Sequence, residues 1–281
     1  MRKEEKMKKR LIIFFPSAII LVFSFLAIAQ FTPEEIAERP KWEEFLKTAE
    51  IVAQQQLGGR EAVTEPWRLT LEKDGVKRDA LWKNPEGRMK GYVENWKWEI
   101  AAYWLDKYLE LNMVPPTVER RFQGNRGSCQ LWVTSEMDLR KKEKEKIKVP
   151  SYKIFYYNRA TYLHRAFDNL IANEDRHQGN ILITKDWRFY LIDHSRTFRT
   201  SKKFTNKLIY DEKHKEGPKL MSELPRAFVE KLKSLNFESI RDIVGEYLTD
   251  NEIEAVLIRR DLILKWLDER IKKVGEDKVL Y

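Results

Sequence analysis

Apolar residues recur at two spacings in the first half of this 281-residue chain and mainly at one in the second. Ile51–Leu57, Trp67–Leu71 and Lys77–Lys83 are short runs separated by Gly58-Gly59, Thr64-Glu65-Pro66 and Lys73-Asp74-Gly75. A period of two bounded by such turn residues predicts three antiparallel strands. Arg120–Phe122 and Gln130–Val133, around a turn at Gly124–Gly127, predict two more. Helical spacing appears over residues 33–48, with Thr32 as cap and Pro33 at the start. It appears again over Asn95–Leu111, where Trp98, Ala101, Ala102, Leu105 and Leu109 share a face before Val114-Pro115-Pro116 ends it.

Beyond Met137 the pattern turns helical. Arg140–Lys148 reads as a solvated charged segment. Tyr152–Asn173 predicts a long helix, with Phe155, Tyr162, Leu163, Phe167 and Leu170 as its apolar positions. Residues 181–192 form a hairpin around Lys185-Asp186, and helices follow over about 225–235, 238–247 and 250–274. Thr249 with Glu252 is a capping box for the last, and Gly275 its stop. A strand-rich half (31–137) followed by a helix-rich half (138–281) is an α+β pattern, with a ligand cleft expected between the two.

The first thirty residues stand apart. Six basic and two acidic residues among positions 1–10 precede an apolar run, Leu11–Ala29, that closes on Ala27-Ile28-Ala29. A charged stretch, an apolar stretch and a small-x-small site predict an export signal, and the run is also just long enough to span a bilayer. A cleaved signal peptide and a single transmembrane anchor over residues 1–30 both stay open. In either case the domain after residue 30 is expected outside the cytoplasm, secreted, periplasmic or held at the membrane through residues 11–29.

Charge and cysteine content narrow the classes. The net charge is +9, but four of those charges lie in the first ten residues, and no aromatic-basic stacking motif accompanies the rest. Nucleic-acid binding is therefore not expected. The single cysteine, Cys129, forms no internal disulfide, and four histidines without paired spacing do not suggest a structural metal.

The candidate chemistry lies in residues 167–196. Asp175-Arg176-His177-Gln178-Gly179-Asn180 precedes Ile181-Leu182-Ile183, and Leu191-Ile192-Asp193 ends the next strand. An acid, an Asn five residues on, and a second acid after a strand-turn-strand is the layout of a phosphoryl-transfer site. Asp175 would orient or deprotonate an acceptor hydroxyl. Asn180 and Asp193 supply the hard oxygens that suit Mg²⁺ or Mn²⁺. His177 is either a general base or a hydrogen-bonding partner of its own loop, and His194 either approaches phosphate or sits at the surface. Such a site also needs a cation on the phosphates held by an acid. Lys83, at the end of a strand, and Glu99, beside a buried helix face, are that pair, with Lys90 and Lys97 as rival lysines. Gly58-Gly59 lies where backbone amides would cover phosphates, or is a simple hairpin turn. It is not a Walker A loop, because no Gly-Lys-Ser/Thr follows.

With these positions set out, the chain resembles the atypical branch of the kinase superfamily, which includes the phosphatidylinositol 3-/4-kinases and the secretory-pathway Golgi casein kinase family. The loop Asp175-Arg176-His177-x-x-Asn180 and the strand end Leu191-Ile192-Asp193 carry the resemblance, with support from Ala80-Leu81-Trp82-Lys83 and Trp98-Glu99-Ile100-Ala101-Ala102-Tyr103. The resemblance implies a bilobal protein-kinase-like fold and a site for ATP or another nucleoside triphosphate with Mg²⁺ or Mn²⁺. It also implies a hinge at Leu131–Met137, with Glu136 or Met137 lining the base. Asp193 is followed by His194-Ser195 rather than the Phe-Gly of standard protein kinases. The expected activity is phosphoryl transfer to a hydroxyl of a protein, sugar or lipid head group. An exported or anchored pseudokinase, acting as a nucleotide- or partner-binding module, is the alternative. The basic segment from Arg199 to Lys219 suggests an acidic acceptor or a solvated loop.

Overall fold

The computed structural model describes residues 31–58, 65–210 and 221–281. The expectations for residues 1–30, for Gly59 and for Lys213, Lys215 and Lys219 lie outside them. No helix among the described residues is long and apolar enough to cross a membrane.

Five antiparallel strands form one sheet. They are β1 (Glu50–Gln56), β2 (Trp67–Lys73), β3 (Val76–Lys83), β6 (Thr117–Phe122) and β7 (Asn125–Leu131), in the order β1-β2-β3-β7-β6. Alternation along β2 and β3 turns Leu69, Leu71, Ala80 and Trp82 to one face, where they meet Phe45, Leu46, Val118 and Phe122 in a small core. Phe45 and Leu46 belong to α2 (Arg39–Thr48), which follows α1 (Pro33–Ala37). The single helix expected over 33–48 is thus two. The break at Glu38 coincides with Pro40, which has no N–H for helix continuation and constrains Arg39 before it. Arg39 is buried and bonds Asp106 at 3.2 Å and Asn112 at 2.9 Å.

A hairpin of β4 (Glu86–Met89) and β5 (Tyr92–Asn95) leads into α3 (Trp96–Tyr108). The hairpin was not visible in the hydrophobic pattern, because its turn at Lys90-Gly91 sits in a charged stretch; both residues have positive φ. Asn95 caps α3 by accepting from the Lys97 amide at 3.0 Å. The helix is buried nearly all round, which explains apolar residues beyond one stripe.

The C-terminal half packs α5 (Ile154–Ile171), α7 (Arg226–Ser234), α8 (Phe237–Val244) and α9 (Asp250–Val274) around a larger core. A second small sheet, β10 (Phe189–Leu191), β9 (Ile181–Ile183) and β8 (Met137–Asp138), closes its cleft side. The charged run begins as a short helix, α4 (Leu139–Lys144), capped by Asp138. Helix α5 ends at Ala172, which takes a left-handed φ of 49°. α3 contributes Trp98, Ala101, Ala102 and Leu105 to the larger core, so it belongs by packing to the helical half although it precedes β6.

Two expectations follow. A Cβ on Gly127 would lie 2.7 Å from the Trp82 ring and 2.8 Å from the Lys83 carbonyl oxygen. Gly127→Ala should therefore cost about 1–3 kcal/mol in urea unfolding, because the second clash is with backbone that cannot rotate away. His164 is buried on α5, and burial pushes its pKa down to about 4. The unfolded imidazole binds protons at higher pH than the folded one, so stability falls as pH drops from about 6.5 towards 4. Urea titrations should show a loss of about 2 kcal/mol by pH 5 that His164→Gln removes.

Candidate active site

Lys83 is the last residue of β3 and lies on the face opposite Trp82, away from the small core. Its ammonium pairs with Glu99 of α3 and, at 2.7 Å, with Asp193 Oδ1 just beyond β10. Lys83 and Glu99 are buried. Burial alone would lower the lysine pKa, but the two carboxylates outweigh it and hold the ammonium charged. Burial likewise raises Asp193 and Glu99, and Lys83 reverses the effect, leaving both below the usual carboxylate range. Asp193 sits at φ +61°, an unusual conformation for a residue with a Cβ. Ile192 N bonding Asn180 O at 3.1 Å, and the Ser195 hydroxyl donating to Asp193 Oδ1 at 3.0 Å, hold it there. The Asp193 side chain stays 39% exposed, and its Oδ2 has no protein partner among the described residues.

The loop carrying Asp175 and Asn180 is held by a buried arginine. Arg176 donates to Asp168 at 3.1 Å, to the Asn180 carbonyl at 3.0 Å and to the Ile192 carbonyl at 2.6 Å. It also meets His194 Nε2 at 2.8 Å. A guanidinium only donates, so His194 accepts through Nε2 and carries its proton on Nδ1, which faces Glu99 Oε2 at 3.6 Å. Burial and the adjacent Arg176 push the imidazole pKa down. His194 is thus neither a surface residue nor a phosphate contact; it is an internal strut between Arg176 and Glu99.

Asp175 is half-buried and pairs with Arg196 at 3.1 Å. Burial raises its pKa, against the pull of Arg196. His177 is exposed, and its Nδ1 accepts from the Gly179 amide at 3.1 Å, a cap on its own loop. Asn180 is buried. Its Nδ2 donates to the Asp175 carbonyl at 3.3 Å, which leaves Oδ1 as the free hard donor. Asn180 Oδ1 and Asp193 Oδ2 therefore fit a divalent cation of the Mg²⁺ class, which needs only one or two protein oxygens besides phosphate and water. Among the described residues no group of three His, Cys, Asp or Glu could hold a metal by itself.

The remaining candidates lie apart from this cluster. Gly58 is exposed at the end of the β1 side of its hairpin, with open space around its Cα. Glu136 is exposed, and its amide bonds the Ile183 carbonyl at 2.9 Å. Met137 pairs with Ile183 and packs against the larger core. Lys90 and Lys97 are not in the triad; Lys97 lies 3.8 Å from Glu86.

Four further residues of the cluster carried no separable signal in the sequence. Glu94 of β5 is buried, accepts from Arg196 at 2.8 Å and, at 2.9 Å, shares the single Ser195 hydroxyl hydrogen with Asp193 Oδ1. It thereby links Asp193 and Asp175 through two intermediaries. Arg176 and Asp168 hold the loop from within, and only Arg176 lay inside the motif. Arg199, read as part of a basic acceptor surface, pairs with Glu174 at 2.6 Å and stacks over Trp98.

No family model and no curated protein matches the chain. Solved structures do. The chain is similar to the hydra Fam20 solved with a sugar, at a TM-score of 0.62 and 14% identity over 91% of this chain and 95% of that one. The Helicobacter pylori proinflammatory kinase CtkA aligns over 82% of this chain and 94% of its own, also at 14% identity, with a TM-score of 0.41, too low to bear on the fold. The chain has an α+β kinase-like fold with an antiparallel N-terminal sheet and a helical C-terminal region.

Arg176 and Asp168 form a fully buried ion pair, so Arg176→Ala strands a charge. Urea unfolding should register a loss of about 3–5 kcal/mol. Arg196→Ala leaves the buried Glu94 carboxylate with Ser195 as its remaining partner and should also destabilise, by about 3 kcal/mol.

Proposed function

We propose that this chain is a metal- and nucleotide-dependent phosphotransferase acting on a hydroxyl. One observation carries the reading: Lys83 bridges Glu99 and Asp193 across three elements distant in sequence. Lys83 is the cation for the nucleotide phosphates, with Glu99 fixing its position. Asn180 and Asp193 hold Mg²⁺ or Mn²⁺, which when bound neutralises charge on the transferred phosphoryl group. Asp175 orients the acceptor hydroxyl and takes its proton, a role its raised pKa favours. The lobes are 31–137 and 138–281, with nucleotide between the sheet and β9–β10, Glu136 and Met137 at the base end, and Gly58 at the phosphate end. His177 keeps the loop in shape rather than moving protons.

The acceptor is a protein, a sugar or a lipid head group. The sugar in the hydra Fam20 structure makes carbohydrate the first class to try. The basic-then-apolar N-terminus supports action outside the cytoplasm, with residues 1–30 as signal or anchor. A second reading has its own support. Arg196 occupies the Asp175 carboxylate at 3.1 Å, where an acceptor hydroxyl would go, as suits a nucleotide-binding module without turnover.

Thermal unfolding with ATP and Mg²⁺ or Mn²⁺ tests the site. The melting temperature should rise only with both nucleotide and metal, and Asp193→Ala should abolish the rise. Asp175→Ala should keep it while lowering phosphoryl transfer on the order of 10²–10⁴-fold. No metal-dependent shift from folded protein rejects the nucleotide site. A shift without turnover, unchanged by Asp175→Ala, selects the binding module.

A further inference from the structure

Large apolar side chains left exposed are scattered singly over most of the surface, apart from the pair Tyr92 and Val93. The first turn of α5 is different. Tyr152, Ile154 and Phe155 are 75%, 47% and 50% exposed within four consecutive residues. They follow the charged run, and Leu139–Lys153 holds seven basic and two acidic residues. Lys141, Lys144, Lys146 and Lys148 are exposed and make no ion pair among the described residues. Lys142 Nζ lies 5.4 Å from the Tyr157 ring, which ties α4 to α5, and the exposed lysines precede the three apolar side chains in sequence.

We infer that this surface docks the domain on an anionic lipid bilayer, with Tyr152, Ile154 and Phe155 entering the interface and the lysines meeting the head groups. Clustered lysines are drawn to a negative surface, and aromatic side chains favour the head-group level. Three exposed apolar side chains within four residues suit a deformable apolar layer. A second copy of the same face would bring like charge against like charge. The inference does not depend on phosphoryl transfer.

The apolar run 11–29 is long enough to hold the full chain on any vesicle, so the readout is local. Cys129 is buried, and burial pushes its thiol pKa up to about 12, so Phe155→Cys in the full chain labels selectively with a polarity-sensitive fluorophore. The label should shift to the blue on phosphatidylcholine vesicles containing about 30% phosphatidylglycerol and stay unchanged on phosphatidylcholine alone. Salt at about 1 M, where the Debye length is about 3 Å, should reverse the shift. Neutralising Lys144→Gln and Lys148→Gln should each weaken it on the order of fivefold. A label at Val76, exposed on the sheet, should not respond. A label at 155 that stays in water on anionic vesicles overturns the inference, as does one that shifts equally on both vesicle types.

Discussion

The ion triad of Lys83, Glu99 and Asp193 is the constraint on which the rest depends. Desolvation works against each of its three charges; the two carboxylates hold the Lys83 ammonium charged, and Lys83 in turn draws both carboxylates below their usual range. A lone buried charge would neutralise or drag the structure open. The strand end, the helix and the segment after β10 must therefore meet at one point. At Asp193 the backbone adopts a left-handed φ of 61° where it meets the other two.

Around the triad, hydrogen bonds from Arg176, His194 and Glu94 fix geometry. Arg176 spends its donors on Asp168, two carbonyls and His194, so the loop, α5 and the end of β10 move together. His194 passes this order to Glu99. On the other side Glu94 holds Ser195 and Arg196, and Arg196 holds Asp175. Asp175 and Asp193 are thus joined by a chain of charged contacts, which sets their spacing before any ligand enters.

The packing of α3 gives this arrangement its rigidity. Trp98 donates to Glu252 at the start of α9 at 2.7 Å, and Glu252 also caps that helix. The helix that carries Glu99 is therefore anchored in the helical core, while Lys83 belongs to the sheet. Their salt bridge spans the junction of the two cores, so relative movement of the halves acts directly on the proposed phosphate cation.

Much of this was legible in the sequence because it is encoded locally. The alternation of Leu69, Leu71, Ala80 and Trp82, the capping box at Thr249 and Glu252, and the α+β order follow from short-range periodicity. Asp175, Asn180 and Asp193 were legible because one motif carries all three within nineteen residues. Lys83 and Glu99 were weaker as candidates, since either alone is an ordinary charged residue and only their meeting distinguishes them. The β4–β5 hairpin, Glu94, the strut at His194 and the internal pairing of Arg196 and Arg199 had no local signature. Each depends on a partner tens of residues away, and a charge reveals whether it is paired or free only when the fold has brought that partner to it.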